Sequence, residues 1–167
     1  MEALSNNGRD GLFVGDSITL ELFRGHRGFY PKEPDEKICV NDLIVTAGRV
    51  YIAKRIAAGD TVNSAMAYIA VGTATGAAAL GDTTVTGEVK RKITAVTSVL
   101  ASNVFTAVVT LGGDADSVVS LAITEAGLFN HASSGQGTMM QRVTFASVTL
   151  ANSDLLKITL ETNVGSS

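Results

Sequence analysis

The sequence predicts a mainly β protein: an antiparallel β-sandwich with one short helix and an extended N-terminal arm. Three observations carry this. Apolar and polar residues alternate in most segments after Ser17. Short clusters of Gly, Asn, Asp and Ser separate those segments and supply tight turns. Only one segment switches to a helical period.

Residues 1–16 are rich in Gly, Asn and Asp and read as an arm. Residues 17–167 then form a single domain, with a hairpin over 17–45, a helix over 46–57 and the main strands over 65–164. In "SITLELF", Ile18, Leu20 and Leu22 share one face of a strand, with Thr19 and Glu21 on the other. "RGHRGFYPKEPDE" holds both prolines and is a loop, or the wide turn of a hairpin returning on "KICV". The helix follows, with Thr46 as N-cap. Val50, Ala53 and Ala57 lie along one stripe, with Ile52 and Ile56 beside it. Lys54 and Arg55 favour its C-terminal dipole, Gly59 stops it, and Gly48 inside it is a cost.

"AMAYIAVG" (65–72) is a buried-strand candidate, and the small-residue stretch 73–89 is a loop in which Ala77–Leu80 fit a helical turn. "KRKITAVTSVL" (90–100) and "NVFTAVVTL" (103–111) read as strands joined by Ala101-Ser102. "GGDADS" is a turn, and positive φ is expected at Asn103 and in the "GGD" and "SSG" clusters. Strands over 118–130, 138–150 and 154–164 complete the count at seven or eight.

Composition narrows function. Aromatics are 5%, there is no tryptophan, and charged residues are 17%. A surface so lightly charged and rich in Thr, Ser, Gly and Ala suits a protein that lives against neighbours. Net charge is −3, with no basic block to track phosphates beyond Lys90-Arg91-Lys92, so no nucleic-acid function is expected. The polar first residues predict no secretory leader, and no apolar run approaches a membrane span. The expected place of synthesis is the cytoplasm. The lone Cys39 excludes an internal disulfide framework and reads as a small buried or half-buried hydrophobe between Ile38 and Val40.

No catalytic, cofactor or metal constellation stands out. The two histidines, His26 and His131, lie in predicted loops, and no serine sits in a nucleophile elbow. "AVGTATGAAALGD" lacks the Lys-Ser/Thr of a phosphate loop. The densest stretch, "ITEAGLFNHASSGQGTMMQRVTF" (123–145), reads as a hairpin. Glu125, Ala126 and Gly127 make a kink or bulge where Gly127 permits close backbone approach. Leu128 and Phe129 return bulk to the core, and Met139 or Met140, Val143 and Phe145 belong to the partner strand. Glu125 and Arg142 are candidates for a cross-strand ion pair that fixes register. The exposed apolar groups expected to dock on a partner are Leu12, Phe13 and Val14 in the arm, with Phe29 and Tyr30 in the first loop.

"AYIAVGTATGAAALGDTTVTGEVKRK" followed by the 123–145 hairpin resembles a family of small virion proteins of tailed bacteriophages. Those proteins carry an "IAVGTG"-like strand and turn and an "ITEAGIFN…GGTMLxR…F" hairpin. "NDLIVTAGRVYIAKRI" is similar to the helix that precedes them, and the similarity covers roughly residues 40–162. The second glycine of the turn is Ala74 here, and "KITLET" lacks the aromatic frequent in the last strand. The resemblance implies no catalytic residue. It implies a structural virion protein, with a capsid decoration (cement) protein as the first reading. A tail fibre or baseplate adaptor is the alternative, and a glycan or host-surface binding module a further one. The implied partners are the major capsid protein or tail and baseplate proteins, together with copies of the chain itself, possible trimers included.

Overall fold

A computed structural model describes residues 12–25, 33–58, 65–98 and 103–166. Two five-stranded antiparallel sheets face each other. The first contains β1 (Leu12–Phe23), β2 (Glu36–Asn41), β6 (Ala95–Ser98), β7 (Val104–Gly112) and β10 (Leu155–Ser166), in the order β2-β1-β10-β7-β6. The second contains β3 (Leu43–Ile44), β4 (Tyr68–Gly72), β5 (Glu88–Ile93), β8 (Ala122–Phe129) and β9 (Met139–Thr149), in the order β3-β9-β8-β4-β5. The helix α1 (Thr46–Ala58) leaves β3 and packs on β9.

The predicted alternation places the core. Ile18, Leu20 and Leu22 of β1 and Leu156, Ile158 and Leu160 of β10 all point between the sheets and are buried. Ile69, Val71, Ala126, Leu128 and Val143 meet them from the second sheet. The other face of that sheet is covered as well. Val45, Ala70, Val85, Phe129 and Met139 form a smaller cluster there, under the start of α1 and the 73–87 loop. This double cover explains why β8 is buried along nearly its whole length.

The chain changes sheet through single residues on both flanks. Asp42 separates β2 from β3, and Thr94 separates β5 from β6. The stretch 90–100 is therefore not one strand. Its first part pairs with β4 and its second with β7, while the Thr94 N–H donates to the Ala67 carbonyl at the corner.

Other expectations change in detail. β1 begins at Leu12, so Leu12–Asp16 of the expected arm are paired backbone, in register with Ser166–Thr162 of β10. Phe29, Tyr30, His26, Gly59 and Ala101-Ser102 lie outside the described residues. Residues 77–80 make no helical turn; the Asp82 N–H closes a turn on the Ala79 carbonyl instead. In the 112–120 turn, positive φ falls on Ser117 and Ser120 rather than on the glycines or on Asn103.

In α1 the buried face is Ala47, Gly48, Tyr51 and Ile52, and the Val50–Ala53 stripe faces solvent. Gly48 is the reason. A Cβ there would lie 2.1 Å from the Met140 carbonyl oxygen, so the helix crosses the β9 backbone at the one position without a side chain. Thr46 is not a free cap. Its N–H donates to the Leu80 carbonyl, and Val45 accepts the first helical bond from Arg49.

Candidate functional site

The hairpin residues Glu125 and Arg142 come together with the 73–87 loop. β8 regularly alternates here, so Glu125, Gly127 and Phe129 look away from the main core. Gly127 is paired with Arg142, and Glu125 with Thr144. The expected kink is not at Glu125–Gly127. The register shifts put the extra residues in β9, around Met140 and around Phe145–Ser147. The shift at Met140 lets both methionines be buried, Met139 in the outer cluster and Met140 in the main core. Phe145 packs half-buried against the main core. The close-approach reading of Gly127 does hold: a Cβ there would sit 2.9 Å from Val85 Cγ2, so the loop seats its one buried apolar side chain over this glycine.

Glu125 is fully buried, and its carboxylate organises the loop. Oε1 accepts from the N–H groups of Ala74 (3.2 Å) and Gly87 (2.8 Å), one at each end of the loop. Oε2 accepts from Thr86 N–H and from Arg142 Nε and Nη2. Arg142, also buried, spends its remaining donors on the middle of the loop. These reach the carbonyls of Gly76 and Ala77 and Oδ2 of Asp82 at 2.7 Å. Thr124 Oγ1 donates to the Ala74 carbonyl. An irregular segment is thus held by its main chain from below.

The electrostatics agree with the geometry. The Ala79 N–H on its carboxylate and the Arg142 guanidinium outweigh burial and hold Asp82 below the ordinary carboxyl range. Burial alone would lower Arg142, but Asp82 and Glu125 reverse that and raise it, so the guanidinium stays charged.

The same device recurs at the other turns. Arg91 is clasped by both oxygens of Glu88, stacks on Phe129 at 3.7 Å, and donates to the His131 and Gln136 carbonyls of the 131–137 turn. His131 itself is exposed, and its Nδ1 accepts from Ser133 N–H. Asp116 takes Lys90, Lys92 and the Gly112 N–H. Burial would raise its pKa, but these partners lower it. Asp154 receives Arg24 and the Gly25 and Ala151 N–H groups, with the same net direction.

Sequence reading found Glu125 and Arg142 but missed Asp82, Glu88, Arg91, Asp116 and Asp154. Asp82, Asp116 and Asp154 bind cations far along the chain or across a corner, where no local spacing marks them. Glu88 and Arg91 are three apart in an extended stretch, a spacing that ordinarily puts side chains on opposite faces. Glu125 has every lone-pair direction engaged by a donor, and the ion pairs act as turn anchors. Among the described residues no group of three His, Cys, Asp or Glu side chains is placed to hold a metal ion. No helix among them is long and apolar enough to cross a membrane.

What the anchored loop shows outward is uncharged. Thr73, Thr75, Ala77, Ala79, Leu80, Thr83, Thr84 and Thr86 are exposed, while its one acid, Asp82, is turned in to Arg142. Leu80 is about half exposed, and so is Val50 of the helix whose first N–H it holds. No protein-family model, no curated protein and no solved structure matches the chain.

Proposed function

We propose that the chain is a structural protein of a tailed-phage particle, and that it decorates and stabilises the assembled head. The observation that carries this reading is the 73–87 loop. Its shape is fixed by buried charges while its outward side chains are small and uncharged. A surface ordered in advance loses little entropy on docking, and one without charge sheds little bound water. Both properties suit a protein whose work is to be held between neighbours. The resemblance of 67–92 and 123–145 to small virion proteins supports the same reading, because it falls on the two segments that build this anchored loop. Many weak copies, each bound only to the finished lattice, would stabilise a shell by mass action.

The test is co-sedimentation of the purified chain with expanded heads that lack it. Saturable binding is expected, weakened by Leu80→Glu, which changes the exposed loop without touching Glu125 or Arg142. Absence of binding at saturating chain, with binding to isolated tails instead, would replace this reading with the tail-adaptor one.

A further inference from the structure

Two open sheets leave four edge strands: β2 and β6 in one, β3 and β5 in the other. An edge strand offers a row of unpaired N–H and C=O groups, and folded proteins usually blunt it. Three of the four are blunted here. β3 has two residues and runs straight on into the helix, with the Val45 N–H taking the next carbonyl, that of Met140. β5 turns Lys90 and Lys92 toward Asp116, and its register against β4 slips at Val71/Gly72. β6 has four residues.

β2 carries only one such device, the exposed Lys37. It is six residues long, without proline or bulge, and in unbroken register with β1 from Glu36 to Asn41. Ile38 and Val40 pack on the core, while Lys37, Cys39 and Asn41 stand exposed on the other face. Cys39 is therefore not the buried or half-buried hydrophobe expected, because strand alternation turns it away from its two apolar neighbours. Among the described residues no strand pairs with its outer edge.

We infer that β2 is the docking edge for a second copy of this chain. The two β2 strands pair antiparallel about a two-fold axis, so that one sheet runs on into the next. This inference stands apart from the particle role and holds whether or not the chain decorates a head.

The strand itself selects this occupant. Directly opposed residues in an antiparallel pair share a face, so only registers that match core side to core side keep the sheet continuous. Centring the axis on Cys39 sets Ile38 against the partner's Val40 and Lys37 against the partner's Asn41. Centring it on Ile38 would instead oppose Glu36 to the partner's Val40. The first register matches apolar to apolar and opposes no like charges over 37–41, and it sets Glu36 level with Asp42 of the partner subunit, where the chain leaves this sheet. The charges of Glu36 and Lys37 cancel, so the edge has no net charge to draw an acidic or basic peptide.

In the Cys39-centred register the two Cys39 residues face each other. Opposed Cα atoms in such a pair lie about 4.5–5.5 Å apart, inside the roughly 4.4–6.8 Å that a disulfide spans. Cys39 is the sole cysteine of the chain, so any link through it reports this contact alone.

The experiment combines sedimentation velocity with diamide treatment, in which two thiols give one disulfide and the diamide is reduced. A reversible dimer is expected that diamide traps and Cys39→Ser leaves untrapped. Asn41→Lys, which brings a second cation opposite Lys37 of the partner subunit, is expected to weaken the dimer roughly tenfold. Asn41→Glu is expected to strengthen it. Both positions are exposed, and unchanged thermal melts would show that the fold is intact. A chain that stays monomeric at every accessible concentration and gives no diamide-linked dimer overturns the inference. So does a dimer on which the two Asn41 variants act alike.

Discussion

Arg142 and Glu125 meet through one oxygen. The guanidinium's Nε and Nη2 both donate to Oε2 of Glu125, at 2.9 and 2.7 Å, which leaves Oε1 for the backbone of Ala74 and Gly87. The pair therefore does more than hold two strands in register. It converts the two ends of a fifteen-residue connection, 73–87, into a single fastening point on the sheet.

Removing Arg142 leaves the buried Glu125 with backbone N–H donors but no counter-charge, and removing Glu125 leaves the buried Arg142 with Asp82 alone. Arg142→Ala or Glu125→Ala is expected to cost about 3–5 kcal/mol in urea unfolding. Because both act through the same contact, the double variant is expected to cost clearly less than the sum. Glu125→Gln keeps an acceptor but loses the charge, and it is expected to fall between. Amide exchange at Ala74 and Gly87 should rise in all of them. Additive losses, or unchanged exchange in the loop, would show that the pair does not fasten it.

Gly48→Ala tests the helix crossing. At an exposed helical site this change gains about 1 kcal/mol from helix propensity. Here the added carbon would meet backbone, the Met140 carbonyl, which cannot rotate away. A net loss of about 1–3 kcal/mol is expected from overpacking. A stabilised variant would show that α1 does not rest on β9 as described.

Acid should loosen the turns. Asp82, Asp116 and Asp154 all have pKa values below the ordinary carboxyl value in the folded chain. A group whose folded pKa is depressed contributes stability above its unfolded pKa and loses it as pH falls toward the folded one. The urea midpoint should therefore be insensitive to these groups near neutrality and should decline below about pH 4. Asp154→Asn should lower the midpoint at neutral pH and flatten the decline. A decline of equal steepness in that variant would remove Asp154 from the account.

Much of the sandwich was legible because its strands alternate. Ile18, Leu20 and Leu22, or Leu156, Ile158 and Leu160, could hardly face anything but a core. The corner at Thr94 was not legible, since a chain that changes sheet in one residue keeps its extended pattern through the change. Lys90 and Lys92 do lie on an edge strand, but their pairing with the buried Asp116, 24 residues beyond Lys92, had no local spacing to mark it. For the loop anchor, sequence reading reached Glu125 and Arg142 because a hairpin brings them together. Asp82 was out of reach because its partner, 60 residues away, depends on how the loop folds back.

The single-residue passages at Asp42 and Thr94 also bear on how the protein carries load. A sandwich held only by apolar contact can yield by letting one layer slide over the other, since such contact has no preferred direction. Here a taut strap crosses between the layers on each flank. Consecutive Cα atoms are fixed about 3.8 Å apart, so neither strap has slack to give. Sideways force on one sheet is passed to the other through covalent bonds, and the layers must move together or be peeled apart strand by strand.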